Sequence, residues 1–125
     1  MSSWTKWQPL TQSTVDRAPT YAGVYEIAVD GDRIEYPDGD SQTLYYGKAD
    51  HSVFNRLSRH IRGLGSRIVY EALDEGILLK VRWRSSYDPR GDECELITSH
   101  EERFGEKPAA NLRGCRIETV IERLM

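Results

Sequence analysis

Arg56 and His60 stand four residues apart in Arg56-Leu57-Ser58-Arg59-His60, a spacing that puts both side chains on one side of a helix. Glu93 shares a helical stripe with Leu96, Ile97, His100 and Phe104, whereas Glu95 is turned roughly 200° away. A carboxylate on the stripe that faces the protein body needs a reason, because an unpaired buried charge is costly. A bound metal ion is one reason, and an ion pair with a nearby arginine is the other. Tyr25 lies in the strand-like run Gly23-Val24-Tyr25-Glu26-Ile27-Ala28-Val29, and Tyr45 in Thr43-Leu44-Tyr45-Tyr46-Gly47. Strand geometry points Tyr45 and Gly47 to one face and Tyr46 to the other, so only one of these two tyrosines can reach a common site. These residue types suit hydrolysis of a phosphodiester. That reaction needs a nucleophilic water, neutralisation of charge on the phosphoryl oxygens and help for the leaving oxygen. An arginine fork matches a phosphate better than lysine does. One carboxylate suffices for a Mg²⁺ ion that keeps most of its waters and takes a substrate oxygen.

The elements that must carry these side chains follow from periodicity. Residues 23–29 and 43–47 are expected as strands, with a short extra strand between Arg33 and Tyr36. From Ser52 the pattern becomes helical, with Val53, Leu57, His60 and Ile61 on one side and Gly63 and Gly65 as the stop. A second helix is expected over 66–75, then a strand from Ile77 to Arg84 in which Val81 and Trp83 alternate with Lys80, Arg82 and Arg84. Asp88-Pro89 opens a helix that runs to Arg103 or Phe104 and stops at Gly105. A loop at 108–114 and an amphipathic helix over 115–124 complete the chain. Residues 1–21 read as polar and irregular, with Trp4 and Trp7 as anchors. The expected fold is α/β: a small sandwich with a central, mainly antiparallel three-stranded sheet flanked by helices, in one domain over 1–125.

Composition narrows the class. A chain of 125 residues buries about two thirds of its unfolded surface, enough for one core. No apolar run approaches the ~20 residues of a membrane span. The N-terminus lacks the basic start and apolar stretch of a secretory signal, so a cytoplasmic location is expected. Cys94 and Cys115 are expected as free thiols, and no histidine stands at zinc-ligand spacing from either. The net charge of −3 disfavours phosphate binding unless charge is segregated. It is segregated: Asp30, Asp32, Glu35, Asp38 and Asp40 oppose Arg33 alone, whereas Arg56, Arg59, Arg62 and Arg67 have no acid among them. Lys80, Arg82 and Arg84 form a second basic run, either contacting a phosphate backbone or guarding a solvated edge strand.

Taken in order, these features resemble the GIY-YIG nuclease family. Gly23-Val24-Tyr25 is similar to its first motif, and Tyr45-Tyr46-Gly47 with Lys48-Ala49 to its second, with tyrosine where isoleucine or valine is usual. Arg56 to His60 resembles its helix, Glu93-Cys94-Glu95-Leu96-Ile97 its metal-ligand motif, and Pro108 to Asn111 its closing signature. The resemblance covers about residues 18–112. It implies a DNA endonuclease assisted by Mg²⁺ or Mn²⁺, with Glu93 holding the metal and Tyr45 taking a proton from the attacking water. An ordinary tyrosine titrates near ~10, so that role needs positive charge nearby, from Lys48, Arg56 or the metal. By the same resemblance Arg56 and Tyr25 contact the scissile phosphate, His60 orients the water or relays a proton, and Asn111 supports the rim. Arg59, Arg62, Arg67, Lys80, Arg82 and Arg84 are the candidates for nucleic-acid contact. The segment over 30–42 is longer than the family's compact hairpin and is either an acidic flap or a decorated hairpin. Specificity would come from DNA shape, a homodimer or a partner protein. RNA remains an alternative substrate, and a non-catalytic nucleic-acid-binding or protein-interaction domain the alternative function.

Overall fold

The computed structural model describes residues 3–125. In chain order the elements are β1 (Gln8–Pro9), α1 (Gln12–Asp16), β2 (Gly23–Val29), β3 (Ile34–Tyr36), β4 (Gly39–Ser41), β5 (Thr43–Ala49), α2 (Val53–Ile61), α3 (Arg67–Asp74), β6 (Leu79–Ser85), α4 (Pro89–Phe104), a 3₁₀ turn (Ala109–Asn111) and α5 (Ile117–Arg123). All seven residues of β2 are buried, because it is flanked on both sides and covered on both faces. The sheet order is β1-β6-β2-β5, every neighbour antiparallel. Four strands form this sheet, not the expected three. The fourth comes from the N-terminal segment, which docks on the outer edge of β6 through Thr5 N–H to Trp83 O and Leu10 N–H to Leu79 O, each 2.9 Å. Met1 and Ser2 fall outside the described residues.

Register fixes which side chains meet. Tyr25 lies opposite Gly47 on β5 and Trp83 on β6, and Ile27 opposite Tyr45 and Val81. This face packs under α2, through His60. The other face carries Glu26 opposite Tyr46 and Arg82, and Ala28 opposite Lys80; α4 approaches it through Leu96, His100 and Phe104. Strand β6 begins at Leu79 rather than Ile77, because Ile77 closes α3: its N–H bonds to Ala72 O at 3.0 Å and Gly76 takes φ 78°.

The chemistry-bearing helices are capped as their sequences require. Ser52 caps α2 by accepting from Asn55 N–H, and Ser66 caps α3 by accepting from Val69 N–H. Asp88 caps α4 with Pro89 in its first turn, and Gly105 ends it in the left-handed conformation. On α4, Glu93 is half-buried and Glu95 exposed, as the stripe requires.

The acidic segment is a hairpin, not a flap. Strands β3 and β4 pair with each other, Ile34, Tyr36 and Ser41 are buried, and Arg33 pairs with Asp40. The Tyr36 hydroxyl donates to Thr43 O at 2.8 Å and accepts from Ala109 N–H at 2.9 Å. His100 meets Tyr36 edge to face, with ring centroids 4.8 Å apart. The hairpin is thus part of the core. Cys94 and Cys115 are free thiols. Among the described residues no helix is long and apolar enough to cross a membrane.

Candidate active site

Antiparallel pairing of β2 with β5 sets Tyr25 beside Tyr45, and α2 lays His60 across both. Ring centroids are 6.2 Å apart for Tyr25 and Tyr45, 5.5 Å for Tyr25 and His60, and 5.3 Å for Tyr45 and His60. Both motif glycines have a steric reason. A Cβ on Gly47 would lie inside van der Waals contact of the Tyr25 ring, and one on Gly23 would strike the carbonyl of Arg84.

His60 is wholly buried. The Tyr25 hydroxyl and His60 Nε2 share a hydrogen bond of 2.6 Å, while Nδ1 accepts from the Ser66 backbone N–H at 2.9 Å. Gly65 permits that approach, since a Cβ there would sit 2.5 Å from Nδ1. Burial, and then the charges of Arg56 and Arg59, push the imidazole down to about 4. It is therefore neutral near pH 7. Two expected roles are corrected by this burial. His60 is too enclosed to orient a water in an open site, and Tyr25, also wholly buried, does not reach a phosphate directly. Burial pushes the Tyr25 hydroxyl far above the ordinary tyrosine range.

Tyr45, Arg56, Lys48 and Glu93 sit nearer the surface, each part-buried. Burial raises the Tyr45 pKa, and Glu93 raises it further; Arg56 and a hydrogen bond from Tyr25 pull it down. Burial also raises the Glu93 carboxyl, opposed by Lys48 and Arg56 and assisted by Asp50. Lys48 pairs with Asp50 at 2.6 Å, not with Glu93. Among the described residues nothing bonds to the Glu93 carboxylate, and Arg56 Nε is buried without a hydrogen-bond partner. One guanidinium nitrogen of Arg56 and the Glu93 carboxylate thus lack hydrogen-bond partners, and the two groups feel each other's charge without forming an ion pair. No group of three or more His, Cys, Asp or Glu residues is placed to hold a metal among the described residues. A lone half-buried carboxylate still fits one ion, provided that water and substrate oxygens supply its other ligands.

The basic residues divide between the two faces. Arg56, Arg59 and Arg67 line a groove of about 540 Å³ with Tyr45, Ser66 and Leu112. Arg59 donates to Leu64 O at 3.0 Å, and Arg67 to Glu71 at 2.5 Å. Arg62 is exposed at the end of α2 and does not line this groove. Lys80, Arg82 and Arg84 lie on the opposite face under the protein's own tryptophans. Lys80 is 4.9 Å from the Trp7 ring, Arg82 4.5 Å from Trp7 and 4.6 Å from Trp4, and Arg84 4.7 Å from Trp4. Arg82 also pairs with the buried Glu26 at 2.6 Å, whose other oxygen accepts from Thr43 Oγ1 at 2.6 Å. The basic run read either as a phosphate contact or as the guard of an edge strand thus packs against the protein's own indole rings.

Asn111, expected as a supporting hydrogen-bonding residue at the rim, bonds to the backbone of Tyr46. Its Oδ1 accepts from Tyr46 N–H and its Nδ2 donates to Tyr46 O, both at 2.9 Å. It thereby seals the outer edge of β5 and holds the strand that carries Tyr45. Sequence reasoning did not find Gly65 and Ser66 as site residues, because the pair reads simply as one helix ending and the next beginning.

Fold and site together define an α/β protein whose antiparallel sheet carries a tyrosine–histidine–arginine cluster beside a carboxylate. Residues 1–103 match the family described as a domain of unknown function, DUF7508, and the chain belongs to that family. No curated protein and no solved structure matches it.

Proposed function

We propose that this chain is a divalent-metal-dependent endonuclease of GIY-YIG type that hydrolyses DNA phosphodiester bonds. The observation that carries the reading is the pair of unpartnered opposite charges, Arg56 Nε and the Glu93 carboxylate, beside Tyr45. A buried guanidinium nitrogen without an acceptor is costly to leave so, and the part of the Arg56 side chain that lines the groove is where a phosphate would bind. Mg²⁺ or Mn²⁺ held by Glu93 would neutralise charge gathering on the phosphoryl oxygens. Arg56 binds and orients the phosphate. Tyr45, having first released its own hydroxyl proton to solvent, takes as phenolate the proton of the attacking water as the new oxygen–phosphorus bond forms and the bond to the leaving sugar oxygen breaks, that oxygen collecting a proton from solvent. Arg59 and Arg67 guide the flanking backbone along the groove.

One observation favours the second reading, a non-catalytic nucleic-acid-binding domain: without a cation, burial and Glu93 both hold the Tyr45 hydroxyl in its protonated form, which cannot accept a proton from water. Incubating plasmid, branched DNA and RNA with the protein and Mg²⁺ or Mn²⁺ separates the two. Cleavage is expected from the wild type and a loss of on the order of a hundredfold or more from Glu93→Ala and Tyr45→Phe. Equal cleavage by all three proteins would remove the enzyme reading, and binding without cleavage would establish the second.

A further inference from the structure

His60 uses both ring nitrogens in fixed bonds, and one of its partners cannot change role. The Ser66 backbone N–H only donates, so Nδ1, at 2.9 Å, must accept. A neutral imidazole whose Nδ1 accepts carries its proton on Nε2, which therefore donates to the Tyr25 hydroxyl at 2.6 Å. The Tyr25 oxygen has two lone pairs and one proton. It receives the bond from His60, so its own proton is directed away from the imidazole; Tyr45, with its ring centroid 6.2 Å away, is the neighbouring hydroxyl-bearing side chain.

We infer that the Ser66 amide, admitted to the ring by Gly65, fixes the direction of a chain from Ser66 N–H through His60 to Tyr25, making His60 a permanent donor and leaving the Tyr25 proton on the side away from the imidazole. His60 and Ser66 are positioning residues in this arrangement. The Tyr25 proton is then available to the neighbouring Tyr45, where donation to the oxygen would favour the deprotonated hydroxyl. The inference rests on the reading of Tyr45 as the group that meets the attacking water. It goes beyond that reading by removing His60 from proton transfer and by naming a backbone amide as the origin of the polarity. The groups facing the ring are Tyr25 from β2, Tyr45 from β5, and Arg56 and Arg59 from its own helix.

The test has two arms. Long-range proton–nitrogen NMR on the wild-type protein reads the ring directly, without substrate. An unprotonated Nδ1 and a protonated Nε2, unchanged between about pH 6 and 8, are expected. A proton on Nδ1, or a charged ring in that range, overturns the inference. The second arm measures plasmid cleavage with Mn²⁺ by wild type, His60→Gln and His60→Met. Glutamine can still donate toward Tyr25 and cannot exchange protons as imidazole does. It should stay within about threefold of wild type, while methionine, with no donor, falls about tenfold or more. A glutamine variant as impaired as methionine, or a methionine variant as active as wild type, overturns the inference. If the wild type itself does not cleave, the nuclease reading fails, and the NMR arm still decides the polarity of the chain.

Discussion

Gly47 lies under the aromatic ring of Tyr25, directly across from it in the β2–β5 ladder. No other residue leaves room for the ring, because any Cβ at position 47 would overlap it. Gly47→Ala therefore forces Tyr25 off its bond to His60. An overpacked core site of this kind costs about 1–3 kcal/mol. Urea unfolding should report that loss, together with an altered near-ultraviolet tyrosine signal. Unchanged stability would mean that the ring is not held as described.

Glu93 raises the Tyr45 pKa through its negative charge. Removing that charge must act in the opposite direction. Glu93→Gln should lower the Tyr45 pKa in the metal-free protein while abolishing metal-dependent cleavage. Spectrophotometric titration of the tyrosines, with Tyr45→Phe to assign the signal, measures the shift. A Tyr45 pKa that rises or stays fixed would break the electrostatic link between the two residues.

Arg82 and Arg59 carry the same charge but have different expected effects. Arg82 is the ion-pair partner of Glu26, which is only 2% exposed. Arg82→Ala strands a buried carboxylate, and removing one partner of such a pair costs about 3–5 kcal/mol. Arg59→Ala should leave thermal stability nearly unchanged and reduce the salt dependence of DNA binding by about one charge. A normal melting temperature for Arg82→Ala would contradict the internal role given to the stack under Trp4 and Trp7.

Asn111 bonds to both backbone groups of Tyr46. Alanine removes both bonds, and aspartate keeps the acceptor but turns an oxygen toward a carbonyl. Each should destabilise the protein by about 1–3 kcal/mol and weaken cleavage in proportion. A variant with full stability and no cleavage would instead assign Asn111 to the chemistry.

Local pattern made part of this structure legible. The limits of α4 follow from a capping aspartate with proline in the first turn and a terminal glycine, and the positions of Tyr45 and Tyr46 on opposite faces follow from strand alternation. What stayed hidden is non-local. Strand β1 is two residues long and contains Pro9, so it has no alternation to detect; backbone bonds to β6 create it. Nothing near Lys80, Arg82 and Arg84 announces that Trp4 and Trp7 cover them. The side chains of the candidate site could be picked out singly, but not that Tyr25 and His60 are wholly buried. That depends on Gly65 and Ser66 closing over the ring, a contact between the end of one helix and the start of the next.

Burial of His60 makes folding depend on pH in a defined direction. Its folded pKa is depressed to about 4, against about 6.5 for an unperturbed histidine. Between those values the unfolded chain binds a proton that the folded protein refuses, so acid favours unfolding. The stability is fully present above about pH 6.5 and is lost as pH falls toward about 4, by up to about 3 kcal/mol. Carboxylates titrate in the same window, which makes the variant comparison decisive. Between about pH 7 and 5 the wild type should lose more unfolding free energy in urea than His60→Gln, which has no proton to gain. Equal losses in the two proteins would mean that the imidazole accepts its proton in place and is not sealed beneath Tyr25 and Tyr45.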